Sequence, residues 1–162
     1  WKLKHYAPPE KFTVIKEIFP DVTFDGAERQ PALFVTDDKL LDLLKFLRDD
    51  DRMMYSRLEN VTSVDWKTCF VMVYNLFSWE NYEDITVKVK LDHEKPVVSS
   101  VTSVFPGVEF EEREIFDLMG IDFRNHPDLR RILLSDDFEG HPLRKDYQQI
   151  MPPRVRRLVK GE

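Results

Sequence analysis

Between Glu109 and Leu134 the chain reads EFEEREIFDLMGIDFRNHPDLRRILL. Glu112, Glu114 and Asp117 stand close together around Arg113, and His126, Pro127, Arg130 and Arg131 follow. Neighbouring carboxylates whose environments split their pKa values can serve as general acid and base, with a histidine to shuttle the proton. The same residues suit another role. On a helix Glu114 and Asp117 are i, i+3 neighbours beside Arg113, the pattern of an ion-paired or solvated face. An active site and a docking surface both fit this stretch.

Other chemistries find less support. None of His5, His93, His126 and His141 stands three or four residues from another. HPDLRR and HPLRKD therefore read as turns rather than as ligand pairs. Cys69 is the only cysteine, which excludes a thiolate zinc site or a standard iron-sulfur cluster held by this chain alone. It lies in the most hydrophobic stretch, where a thiol is packing. The five glycines occur singly, without GxGxxG or a P-loop, and GxSxG is absent. Arg154, Arg156, Arg157 and Lys160, near the end, suit an anionic lipid surface or acidic patches of a partner.

Hydrophobic residues make up 42% and aromatics 12% of 162 residues, enough for the core of one domain. A net charge of -6 argues against nucleic acid as a partner. A single cysteine fits a reducing compartment. No window reaches the roughly 18 apolar residues of a membrane span, and the N-terminal stretch lacks the apolar run of a secretory signal.

The elements that must position these residues follow from periodicity. Phe12, Ile15, Ile18 and Phe19 have helical spacing, and Val22 to Phe24 then reads as a short strand. Residues 32–36 form a strand, and Asp37 is expected to cap a helix whose stripe is Leu40, Leu41, Leu43, Leu44 and Leu47. Strands are predicted over 58–65, over 69–79 (buried on both faces) and over 85–91, the last two as a hairpin. VVSSVTSVF suits a strand or a helix start. A final helix ends at Gly120, with Phe110, Ile115, Phe116, Leu118 and Met119 available to one face. The expected fold is α+β: a mainly antiparallel mixed sheet with flanking helices over residues 1–120, then an extended, proline-rich, partner-wrapping tail over 121–162.

Two stretches resemble a known family. Glu112-Arg113-Glu114, Asp117-Leu118-Met119, His126, Arg130 and Ile132-Leu133 are similar to the signature of the 30 kDa subunit of respiratory complex I. Gly140-His141-Pro142-Leu143-Arg144-Lys145-Asp146-Tyr147 resembles that family's second hallmark. Weaker similarity runs from about Leu33 to Tyr147. The preceding FPGVEFE departs from the aromatic-rich stretch that family members often carry. The resemblance is shared with membrane-bound [NiFe]-hydrogenases, so the motifs leave the electron donor and acceptor open.

The resemblance implies a non-catalytic peripheral-arm subunit of a complex I-like, ion-translocating NADH:quinone oxidoreductase. It would pack on the 49 kDa-type large subunit, near the cluster-bearing small subunit, with the membrane arm an indirect partner. No cofactor is expected in this chain; iron-sulfur clusters, with flavin or nickel-iron, belong to the partners. The expected location is peripheral, at the cytoplasmic face of a membrane or its organellar equivalent. Within that frame the residues of both stretches are docking candidates. A free-standing enzyme using Glu112, Glu114 and His126, or a soluble adaptor, are the competing readings.

Overall fold

Strand β5 (Cys69–Ser78) is an interior strand of the sheet, one in from its edge. The computed structural model describes residues 5–25 and 32–148. Phe70, Met72, Tyr74 and Leu76 point into the core, while Val71, Val73 and Asn75 point the other way and are half-buried. The expectation of burial on both faces is thus only half met. An unbroken apolar run does not itself say how many faces are covered.

The strand pairs antiparallel with β6 (Glu83–Asp92), in register from Cys69 opposite Asp92 to Ser78 opposite Glu83. Ile85, Val87, Val89 and Leu91 alternate inward as the sequence predicts. On its other side β5 pairs antiparallel with β4 (Arg57–Asp65), an edge strand. Beyond β6 lie β3 (Ala32–Val35), parallel to it, and β2 (Thr23–Asp25), antiparallel to β3. The short β1 (His5–Tyr6) also runs parallel to β6. The sheet is mixed and mainly antiparallel, and the fold is α+β.

Helix α1 (Pro9–Ile18) starts with proline at its first position, where a missing amide costs nothing. Helix α2 (Asp37–Asp49) buries Leu40, Leu43, Leu44 and Leu47. Thr36, not Asp37, occupies its N-cap. The Asp37 carboxylate reaches outward instead, accepting the Ser99 amide at 2.6 Å and pairing with Arg124. These partners come from distant segments, which no local capping rule can foresee.

VVSSVTSVF begins as β7 (Val97–Ser99) and continues as turns whose Val101, Val104 and Phe105 enter the core. A short 3-10 turn at Pro106–Val108 leads into α3 (Glu109–Met119). The chain then forms β8 (Asp122–Arg124), parallel to β7, and buries Ile121 and Phe123. The sequence boundary at Gly120 thus falls inside the packed structure. Residues 125–148 add no further helix or strand, and residues 149–162 lie outside the described residues.

Candidate functional site

Helix α3 buries charge. Of its expected apolar face, Ile115 and Met119 are buried and Phe116 and Leu118 half-buried, but Phe110 is 63% exposed. Glu112, Arg113 and Asp117 are buried in its place, whereas Glu114 faces solvent. A solvated ion-paired face is therefore the wrong description. Amphipathic spacing cannot register this, because the partners that make the burial tolerable come from other segments.

Glu112 accepts hydrogen bonds from the Ser100 hydroxyl at 2.6 Å and the Val101 amide at 2.7 Å. Burial nevertheless pushes its carboxyl above the ordinary glutamate value, against the pull of those two donors and of His126. His126 Nε2 stands 3.8 Å from Glu112, with both side chains closed to solvent. The Asp128 amide donates to His126 Nδ1 at 3.0 Å, which leaves Nε2 as the protonated nitrogen, donating to the Glu109 carbonyl at 3.1 Å. His126 is thereby fixed at both nitrogens as a bracket between α3 and the loop beyond β8.

Asp117 serves the same loop farther along. One of its oxygens accepts three successive amides, from Ile132, Leu133 and Leu134, at 2.8–3.1 Å. Burial alone would raise its pKa; the three amides, with the Arg131 charge 3.7 Å away, hold it below the ordinary aspartate value. Arg113 adds a bond from Nε to the Arg130 carbonyl at 3.2 Å and lies 3.8 Å from Asp128. Arg130 itself is 71% exposed and pairs locally with Asp128, while Arg131 is turned inward. Pro127 is exposed at the bend.

The second hallmark returns to the end of α3. A helix leaves its last carbonyls without partners, and here each one from Phe116 to Gly120 has a donor. The Gly120 amide serves Phe116, His141 Nδ1 donates to Asp117, the Leu143 amide to Leu118, and Arg144 to Met119 and Gly120. The guanidinium also puts positive charge at the negative end of the helix dipole. Gly120 is left-handed at φ 67°, and any side chain there would overlap the His141 ring. Gly140, at φ 87°, lies under Tyr147, which stacks on Phe138.

The Lys145 amide then bonds Asp65, at the end of β4, at 2.8 Å. Asp65 is not among the residues singled out from the sequence. Its local signal is an aspartate whose carboxylate accepts the amide two residues on, that of Lys67, at 2.6 Å. Pro142 is half-buried, Leu143 is 59% exposed, and Asp146 faces outward. Of the acid-base candidates only Glu112 and His126 come together; Glu114 is at the surface, and Glu112 and Asp117 face different backbone amides.

The domain is thus a mixed sheet whose last helix is completed by residues 141–144, with buried carboxylates holding the loops in place. The chain belongs to the family described as respiratory-chain NADH dehydrogenase, 30 Kd subunit, which it matches over residues 33–152. It is 41% identical over 137 residues to the C subunit of NADH-quinone oxidoreductase from Roseiflexus sp. (strain RS-1), spanning 82% of this chain and 79% of that one. It is 43% identical over 136 residues to the same subunit from Moorella thermoacetica, spanning 83% and 90%.

Among solved structures, a subunit of the membrane-bound sulfane sulfur reductase, an archaeal respiratory membrane complex, superposes with a TM-score of 0.74 at 26% identity. The match covers 93% of this chain and 90% of that one. A trypsin-resistant fragment of Nqo5 shares the fold, with a TM-score of 0.62 at 22% identity over 74% and 98%.

Proposed function

We propose that this chain is a non-catalytic peripheral-arm subunit of a complex I-like NADH:quinone oxidoreductase and docks against the 49 kDa-type large subunit, beside the cluster-bearing small subunit. The observation that carries the docking role is the Asp117 clamp. Three amides on one carboxylate fix the backbone of residues 132–134, and this segment presents Leu133, 61% exposed, and Ile132, 36% exposed, to the outside. A pre-ordered apolar segment beside an exposed arginine, Arg130, offers a neighbouring protein an anchor at low entropic cost.

The redox work falls to the partners, whose iron-sulfur clusters and flavin would carry the electrons. The chain would sit peripherally at the membrane, held there by other subunits; no described helix is long and apolar enough to cross one. The likeness to a subunit of the membrane-bound sulfane sulfur reductase supports a respiratory membrane complex of another kind as a second parent. The motifs shared with membrane-bound [NiFe]-hydrogenases make a hydrogenase-type or ferredoxin-linked complex the form it would take. Affinity purification of the tagged chain from its native membrane, with identification of co-eluting subunits and metals, tests both. Flavin and quinone with a large subunit define the first parent, and nickel with iron-sulfur clusters the second. A monomer without a large-subunit partner would sink the proposal.

A further inference from the structure

Where the second hallmark meets the sheet, three metal-ligating side chains converge from three segments. Asp65 ends β4, His93 lies in the turn after β6, and Asp146 belongs to the hallmark itself. One ligand atom from each lies within 4.8 Å of the others. The His93 ring is fixed by stacking on Phe70, with centroids 4.8 Å apart and planes 3° from parallel. Its Nε2 is closed to solvent, has no hydrogen-bond partner, and faces Asp65 Oδ1 at 3.5 Å.

A nitrogen lone pair does not face a carboxylate oxygen so closely without positive charge between them. That charge is either a proton on Nε2 or a metal ion. The spacing matches a metal: two ligands about 2.1 Å from a tetrahedral zinc stand about 3.4 Å apart. On the far side of the ring Nδ1 lies 3.8 Å from the exposed Glu94 carboxylate, an outer partner for that nitrogen once Nε2 is a ligand. Asp65 receives one backbone amide on each oxygen, from Lys67 and Lys145, and retains a further lone pair on each for a ligand bond.

We propose that Asp65, His93 and Asp146 bind a divalent first-row transition ion, Zn²⁺ by preference, which ties the second hallmark to the ends of β4 and β6. One imidazole with two carboxylates suits zinc, cobalt or manganese better than calcium or magnesium, which favour all-oxygen sites. Water completes the coordination on the open side, where Asp146 is exposed. The Lys145 ammonium, whose charge also acts on Asp65, tempers the affinity.

The full chain, purified without a histidine tag and stripped with a chelator, tests this. Zn²⁺ titrated by calorimetry at neutral pH should bind once per chain and raise the Tm, and Co²⁺ should give visible ligand-field bands. Asp146→Asn, at an exposed position, and His93→Gln should each weaken binding at least about tenfold. Glu114→Gln, on the exposed face of α3, should leave it unchanged. Thermal melts of the metal-free variants separate lost ligands from lost folding. Absence of Zn²⁺ binding by the parent chain would mean that a proton alone holds the pair, and would overturn the proposal. Binding that persists unaltered in both ligand variants would mark adventitious metal elsewhere, and would overturn it equally.

Discussion

Glu112 and Asp117 share one helix and are both fully buried, yet their environments act on them in opposite senses. Asp117 is held below the ordinary value of about 3.9, so its contribution is complete above that value and lost as pH falls through the lowered one. Glu112 is held above its ordinary value of about 4.3. Its contribution is complete below that value and declines as pH rises through the raised one. Urea melts across the acid range should therefore separate the two. Asp117→Asn is expected to cost about 1.5–3 kcal/mol near neutral pH, a deficit that shrinks as pH falls below the carboxylate range. Glu112→Gln should instead gain on the parent chain as pH rises. A deficit for Asp117→Asn that stayed constant down to strong acid would refute the clamp. At Gly120 a different cost applies, since alanine would need a left-handed backbone and a displaced His141. Gly120→Ala should lose about 2 kcal/mol or more, read as a lower denaturant midpoint with unchanged slope.

At the scale of the element, α3 is a helix whose end is completed from outside. His141→Ala and Arg144→Ala each remove donors from its last carbonyls. Hydrogen exchange of the Gly120 amide and its neighbours should quicken in both variants, while amides in the middle of β5 keep their protection. Equal quickening in β5 would mean that the whole domain is loosened rather than the helix end. This element also shows where sequence reasoning stops. The β5–β6 hairpin was legible because period-2 alternation is local, and α2 was legible from its leucine stripe. The burial of Glu112, Arg113 and Asp117 was not, because their partners lie at residues 100–101, 128–134 and 141. The family hallmarks marked these residues as important without saying that the two stretches complete one another.

For the whole molecule, the same hallmarks divide into residues that face inward and residues left outside. Of these two docking candidates Arg131 braces its own Asp117, while Arg130 faces outward. Arg130→Ala combined with Leu133→Asp should leave the domain's melting unchanged and sharply reduce recovery of the large subunit in membrane pull-downs. Undiminished recovery would remove this surface from the interface. Arg131→Ala should lower stability as well. The basic cluster at Arg154, Arg156, Arg157 and Lys160 lies outside the described residues, so its expectation rests on the sequence alone.

The bond from the Lys145 amide to Asp65 joins positions 80 residues apart. During synthesis the sheet and α3 can be complete in sequence while the donors for the helix end are still unmade. The carbonyls of residues 117–120 have no donor until residues 141–144 have left the ribosome. Completion of the helix end and of the bond to Asp65 thus requires residues 141–145, and contacts of such long sequence separation are of the kind that slow folding. A nascent chain stalled short of His141 would lack the donors for the carbonyls of residues 117–120 and leave the end of α3 frayed.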